Sequence, residues 1–178
     1  MSFARVRALV IVGAMVLSAV VFVVVALVRD TQGGMTEAEG CPEGYVVANV
    51  RMREQKDVKI NVYNATDIPG LASRVATDFR NRKFQVVGEG NDPLKKTVDG
   101  VAELRFGPKA FGSGHLLRAY FLDQAKVEYD PQREDDVVDV VLGNAFQQLA
   151  TTTEVNQSLV ELGKPQLPAQ TCAADEDE

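Results

Sequence analysis

Three short segments of this chain alternate apolar and polar residues, and this pattern restricts the fold more than any other feature. The segments start at Val58, Ala102 and Ala125, and in each one the apolar side chains recur at every second position. Successive side chains of a strand point to opposite faces, so each segment predicts a strand with one buried face. A sheet covered by helices on both sides needs continuous apolar strands instead. The pattern therefore predicts helices on one face only.

The segments between these strands carry helical patterns. Leu71, Val75 and Phe79 recur every four residues after a Pro-Gly turn, which predicts one helix. Residues 111–122 contain two adjacent rows of apolar residues four apart, which predicts a second helix. A third helix is predicted over residues 144–162, where Gly163 ends it.

Two further strands complete the predicted fold. Residues 85–87 form a short strand followed by a loop over 88–100, and the almost wholly apolar residues 137–142 predict a central strand. The order β-α-β, β-α-β, β predicts an α/β (α+β) two-layer sandwich with a four- to five-stranded sheet. We expect its helices mainly on one face, in a ferredoxin-like, split-βαβ arrangement with an added strand.

Residues 8–28 form a separate run of 21 residues without a charge or a proline. As a helix the run is about 31 Å long, enough to cross a hydrocarbon core of about 30 Å. A cleaved signal peptide is the alternative, but its apolar run is usually about 7–15 residues, and no convincing Ala-x-Ala site follows here. Arg5 and Arg7 precede the run and acidic residues follow it, so the positive-inside rule predicts a cytoplasmic N-terminus and an exported remainder.

These patterns divide the chain into five parts. They are a cytoplasmic N-terminus (1–7), a transmembrane helix (8–28), an extracytoplasmic tether and lead-in (29–57), the α/β domain (58–149) and a C-terminal helical extension with an acidic tail (150–178). The two cysteines, Cys41 and Cys172, are both on the predicted exported side and outside the patterned region. We expect them to form an intramolecular disulfide; two free thiols or an intermolecular pair are the alternatives.

Functional chemistry is sparse in this sequence. The net charge is −6 and no cluster of Lys and Arg exists, which disfavours nucleic acid as a partner. His115 is the one histidine and is expected on the surface, so no catalytic set and no zinc ligand set is predicted. The acidic residues 134–136 with Asp139 lack the spacing of a calcium loop and predict a solvated turn. We expect no metal and no cofactor.

One weak group of polar residues remains at the predicted strand ends. Asn64 and Thr66 end the first strand, Gly70 opens the following helix, and Gly143 and Asn144 end the last strand. If those two strands are parallel, both asparagines lie on the same edge. A helix start there offers free N–H groups to anions or sugar hydroxyls, which predicts a small recognition edge. The alternative is a pair of Asx turns that shape loops.

Several stretches also carry a family resemblance. They are VYNAT at residues 62–66, PGLA at 69–72, FQVV at 84–87, LRFG at 104–107 and DVVLG at 139–143. Together they resemble the LytR C-terminal domain family over about half of the chain, although Lys83 stands where the family commonly has glycine. The flanking features, namely the apolar run, Cys41-Pro42, residues 146–159 and Thr171-Cys172, resemble those of actinobacterial envelope proteins.

The resemblance implies a non-enzymatic protein at the outer face of the plasma membrane that helps to keep the cell envelope intact. Its expected partners are the plasma membrane, through residues 8–28, and peptidoglycan, an envelope glycopolymer or other envelope proteins. In other proteins this domain follows a LytR-CpsA-Psr phosphotransferase domain, for which this sequence shows no counterpart. The alternative function is therefore an accessory enzyme of cell-wall glycopolymer transfer.

Overall fold

The computed structural model describes residues 41–174 and, before them, Met15, Ser18, Ala19 and Val21, which are helical. The predicted membrane helix at residues 8–28 otherwise lies outside the described residues, as does the acidic tail at 175–178. Among the described residues, no helix has both the length and the apolar character needed to cross a bilayer. The chain divides into two units, residues 1–39 and 40–178, and the second contains the folded domain.

Residues 41–174 contain seven strands and three longer helices. They are β1 (Val46–Ala48), β2 (Lys59–Asn64), α1 (Leu71–Asn81), β3 (Gln85–Asn91), β4 (Ala102–Phe106), α2 (Phe111–Tyr120), β5 (Lys126–Tyr129), β6 (Val137–Leu142), α3 (Thr152–Leu162) and β7 (Thr171–Ala173). Two 3₁₀ turns, Gln55–Asp57 and Pro108–Ala110, precede β2 and α2. The domain is thus a mixed α/β fold.

Five strands form one sheet in the order β3-β2-β6-β4-β5. Strand β2 is parallel to both β3 and β6, and β4 is parallel to β5 but antiparallel to β6. Strand β6 is central, as its apolar sequence predicts. Its residues Val138, Val140, Val141 and Leu142 have no exposed surface, because β6 is covered on both faces of the sheet.

The predicted split-βαβ arrangement is wrong. In each of the two βαβ units the parallel strands are hydrogen-bonded neighbours, β2 with β3 and β4 with β5. The fifth strand, β6, lies between the two units rather than within one of them. A strand with apolar side chains on both faces is best buried at the middle of the sheet, and this placement keeps each βαβ unit intact.

The apolar core lies between the sheet and the helices α1 and α2. It combines Ile60 and Val62 of β2 with Leu104 of β4, and α1 buries its predicted face through Val75 and Phe79. Since Val62 and Leu104 are both paired with Val140, these side chains share one face of the sheet. Aromatic rings close the end of the core, where Phe84 packs edge-to-face on Phe79 and Tyr120 at centroid distances of 5.2 and 5.1 Å.

Two predicted boundaries differ from the structure. Strand β3 continues to Asn91, into the predicted loop, because its residues beyond Val87 stay paired with β2. The third helix starts at Thr152 rather than at residue 144. Thr151 caps it, accepting a hydrogen bond from the Glu154 N–H while the Glu154 side chain accepts one from Thr151 N. The backbone of Ala150 bonds instead to Tyr120 and Arg82 of the domain.

The two ends of the folded domain are joined by a disulfide and a small second sheet. Cys41 and Cys172 form the predicted disulfide, with their Cα atoms 5.9 Å apart across 131 residues of sequence. Strands β1 and β7, which the sequence did not predict, pair in parallel beside it and place Val47 opposite Cys172. Each strand has only three residues, so their pairing depends on contacts from distant parts of the chain.

Lys83, the departure from the family pattern, lies between α1 and β3. Its backbone has φ of 75°, in the left-handed region that favours glycine. The family's preference for glycine at this position thus follows from the backbone geometry, and lysine adopts that geometry at a cost.

Candidate binding site on the open face of the sheet

The face of the five-stranded sheet opposite α1 and α2, called here the open face, carries two rows of side chains that cross all five strands. The first row, in the order of the strands from β3 to β5, is Gly88, Asn61, Asp139, Arg105 and Glu128. The second row is Gly90, Tyr63, Val141, Glu103 and Lys126. Polar side chains from β2, β6, β4 and β5 therefore meet on one surface, and β3 contributes two glycines to it.

The half of the open face over β4 is buried under an ion-pair network. Arg105 is 8 % exposed, and its Nη1 lies 2.7 Å from Asp92 Oδ1 while its Nε lies 2.6 Å from Glu103 Oε1. The alternation of β4 predicts this face to be solvated, which is wrong for Glu103 and Arg105. The loop after β3 supplies Asp92, which is 4 % exposed, and so shields the network from water.

These buried carboxyl groups are held in their ionised form. Burial raises the pKa of Asp92. The hydrogen bonds from Arg105 and from the backbone N–H groups of Leu94 and Lys96, together with the charge of Arg105, outweigh burial and lower this pKa below its usual range. Burial likewise raises the pKa of Glu103. Its interaction with the Glu128 side chain and its hydrogen bonds from the cations Arg105 and Lys126 together lower the pKa of Glu103 to about 2. At neutral pH both groups are anions paired with a cation, which stabilises structure but leaves no proton to donate.

A second network joins the turn after β5 to the open face. Arg133 Nη1 lies 2.8 Å from Asp139 Oδ2, and Arg133 Nε lies 3.0 Å from Asp135 Oδ1. Asn61 Nδ2 donates to Asp139 Oδ1 at 2.7 Å. The neighbouring carboxylate of Asp136 pairs with Lys59 at 3.0 Å. Asp135, Asp136 and Asp139 are therefore partners of cations.

Beside the networks, the open face has an accessible area that we call the Tyr63 shelf, made of Asn61, Tyr63, Gly88 and Gly90. The Tyr63 ring is half-buried, and its hydroxyl makes no hydrogen bond to any described residue. Burial and the nearby Asp139 raise the pKa of Tyr63. A side chain built on Gly90 would meet no atom within 4 Å, so the space beside the ring is open.

The predicted recognition edge lies at the ends of β2 and β6, which are parallel as that prediction assumes. Asn64 is buried and uses its side chain internally, because Nδ2 donates to Ile68 O at 2.8 Å and Oδ1 accepts from Thr66 N at 3.0 Å. The Thr66 hydroxyl donates to the same Asn64 oxygen at 2.8 Å. These bonds form an Asx turn.

Of the other members of this edge, Gly143 and Asn144 contact the loop between β3 and β4, and Gly70 lies in the turn before α1. Gly70 begins α1 with φ of 71°. A Cβ atom on Gly143 would collide with the Gly100 carbonyl, and the exposed Asn144 donates its backbone N–H to Val98 O at 2.8 Å. The structure thus brings the five residues to one edge of the sheet, and recognition there stays a prediction.

His115 is buried rather than on the surface as the sequence predicts. It is 4 % exposed in α2, and its Nε2 lies 2.9 Å from the carbonyl oxygen of Gly163, at the end of α3. Burial lowers its pKa, so the neutral ring is favoured and can donate to that carbonyl. The packing of α3 on α2 buries the ring, and this contact joins parts of the chain 48 residues apart.

The comparisons with known proteins agree with this fold. The soluble domain of a conserved hypothetical secreted protein from Mycobacterium marinum has a crystal structure that aligns with a TM-score of 0.53 at 24 % identity. The alignment covers 68 % of this chain and 82 % of that one, and it shows a shared fold.

The cell envelope integrity protein Cei of Mycobacterium tuberculosis (strain ATCC 25618 / H37Rv) is 26 % identical over 118 residues. The match covers 65 % of this chain and 54 % of Cei, so this chain spans about half of that relative's length. Residues 57–146, just over half of the chain, match the family described as LytR cell envelope-related transcriptional attenuator, LytR_C. The predicted resemblance is confirmed, and the chain belongs to the LytR_C family.

Proposed function

We propose that this chain is a membrane-anchored, non-catalytic binding or scaffold protein on the extracytoplasmic side, where it supports the integrity of the cell envelope. The observation that carries this proposal is that the charged groups around Arg105 and Arg133 on the open face are paired with one another. Carboxylates with a lowered pKa in such pairs are poor general acids, whereas the exposed shelf beside them offers contact area.

The similarity to Cei, which is named as a cell envelope integrity protein, and to a secreted mycobacterial protein supports the envelope location. In this proposal residues 8–28 cross the plasma membrane with the N-terminus in the cytoplasm. The Cys41–Cys172 disulfide supports export as well, since disulfides persist in oxidising compartments. A reporter fused after Glu178 should be active only outside the cytoplasm, and cytoplasmic activity would contradict the orientation.

The binding partner in this proposal is peptidoglycan, another envelope glycopolymer or an envelope protein. Deletion of the gene is expected to sensitise cells to detergent and to wall-targeting antibiotics, and expression of the full chain should restore resistance. Unchanged sensitivity would count against the proposal. Metal-dependent cleavage of a polyprenyl pyrophosphate by the purified chain would favour the alternative, an accessory enzyme of glycopolymer transfer.

A further inference from the structure

The Tyr63 shelf has the shape of a platform rather than of an enclosed pocket. Tyr63 lies between Val141 of the central strand and Gly90 of the edge strand β3. Since Gly90 has no side chain and an added Cβ would meet no atom within 4 Å, one side of the ring borders open space. Because β3 is the last strand of this sheet, the platform is open at its side, where a long ligand can pass.

Hydrogen-bonding groups surround the ring. The Tyr63 hydroxyl, which has no hydrogen bond to a described residue, belongs to the platform itself, and Asn61 lies in the neighbouring row of β2. The charged groups that influence the pKa of Tyr63 are Asp139, Arg133 and Asp92, and Asp139 lies on β6 directly opposite Asn61. A ligand on the platform would therefore meet an apolar ring face and, at its rim, both donors and acceptors.

The charges around the shelf restrict the class of ligand. Arg133 contacts both Asp139 and Asp135, and Arg105 contacts both Asp92 and Glu103. Each guanidinium is thus neutralised by two carboxylates, which leaves no excess positive charge for a phosphate. An anionic polymer would instead be repelled by the surplus of carboxylates.

We propose that the Tyr63 shelf is a binding site for a neutral saccharide chain, whose apolar C–H face stacks on the Tyr63 ring and whose hydroxyl or acetamido groups bond to the polar rim. This inference rests on the proposed function and deepens it by naming the ligand class and the residues. An aromatic ring with a polar tip provides both apolar contact and a hydrogen bond to such an amphipathic ligand.

The test uses the full-length chain in micelles of a non-glycosidic detergent, because a sugar detergent would compete for the shelf. Amide NMR spectra are titrated with the N-acetylglucosamine tetramer, with maltotetraose and with inorganic pyrophosphate. Saturable shifts are expected at residues 61–63 and 88–90 with at least one saccharide, and the two saccharide arms distinguish acetamido sugars from plain glucose chains. Pyrophosphate is expected to leave these amides unshifted.

One glycine and two tyrosines supply the variants and their control. Gly90→Val should fit the fold, because its Cβ meets no atom, yet it fills the shelf and should weaken saccharide binding about tenfold. Tyr63→Ala should weaken binding to a similar extent, whereas Tyr63→Phe keeps the ring and most of the affinity. Tyr45→Ala removes a more exposed tyrosine, 44 % exposed and outside the sheet, and should leave saccharide binding unchanged.

The inference is overturned if neither saccharide shifts these amides, if pyrophosphate binds more tightly, or if Gly90→Val and Tyr63→Ala both bind as the unmodified chain does. A melting curve of each variant shows whether a loss of binding reflects a loss of fold. Failure here is separable from failure of the proposed function. If gene deletion sensitises cells but the purified chain binds no saccharide, the envelope role is supported and only the ligand assignment is wrong.

Discussion

Arg105 is the residue whose replacement tests the account of the open face most directly. Arg105→Met keeps much of the side-chain length but leaves Asp92, which is 4 % exposed, without its cation. Glu103, which is 6 % exposed, keeps only the exposed Lys126 as a cationic partner. Removing one partner of a buried ion pair costs about 3–5 kcal/mol, because the remaining charge stays desolvated. We expect a loss of that size from the free energy of unfolding at pH 7, measured by urea denaturation with the disulfide intact.

The matched control is Arg80→Met. Arg80 contacts Glu89 at 2.8 Å, but the two side chains are 47 % and 35 % exposed. An exposed pair contributes about 0.2–1 kcal/mol, so the control should lose no more than that. Comparable losses in the two variants would show that burial does not make the Arg105 network more important for stability than an exposed ion pair.

The pH dependence of Arg105→Met provides a second criterion. In the unmodified chain the pKa of Asp92 and Glu103 is lowered. Their stabilisation is therefore present above their unfolded pKa values, about 4, and is lost as the pH falls towards 2. Without Arg105, the burial of Asp92 is less fully offset and its pKa rises. Asp92 then takes up a proton in mild acid, and the deficit should shrink between pH 7 and 5. A deficit that is constant over this range would contradict the mechanism.

Four further expectations concern other parts of the domain. Replacing Cys41 and Cys172 by Ser opens a loop of 131 residues and should cost up to about 5 kcal/mol; mass spectrometry without reduction must first show the linked peptide. Burial lowers the pKa of His115, so only the unfolded chain takes up a proton as the pH falls below about 6.5. Stability should then drop from pH 7.5 to 5.5, and His115→Gln should flatten that slope. Lys83→Gly relieves a left-handed backbone and should stabilise by about 0.5–1 kcal/mol in thermal melts, unless the added chain entropy cancels the gain. Asn64→Ala removes three internal hydrogen bonds and should cost about 1–3 kcal/mol; an unchanged melting temperature with impaired envelope function would favour recognition at that edge instead.

Much of the fold could be predicted because its signals are local. The helical spacing of Leu71, Val75 and Phe79 predicts the buried face of α1, and the apolar run of β6 predicts a buried strand. The structure buries both. The capping box at Thr151 is also a local signal, yet the helical pattern predicts a start at residue 144, eight residues before the observed start at Thr152. There the deciding contacts were remote, since the backbone of Ala150 bonds to Tyr120 and Arg82.

The sequence does not predict the candidate site, because that site also depends on contacts between distant residues. The sequence does contain one signal of the ion-pair network, because opposite charges occupy alternate positions of β4 and β5. Glu103 and Arg105 of β4 face Lys126 and Glu128 of β5. They predict cross-strand ion pairs only after the strand order and the register are known. Asp92 lies 13 residues before Arg105, and nothing local in the sequence indicates that it covers that side chain.

The sequence by itself determined the alternating strands, the two helices of the βαβ units, the central strand and the pair of cysteines available for a disulfide. Periodicity and composition are sufficient for these, because each depends on residues close in the chain or on residue type alone. Only the tertiary structure decided that β6 separates two intact βαβ units, that β1 pairs with β7, and that a loop buries half of the open face. Those outcomes depend on competition among contacts between distant residues, which determines whether Arg105 is a solvated surface charge or the centre of a buried network.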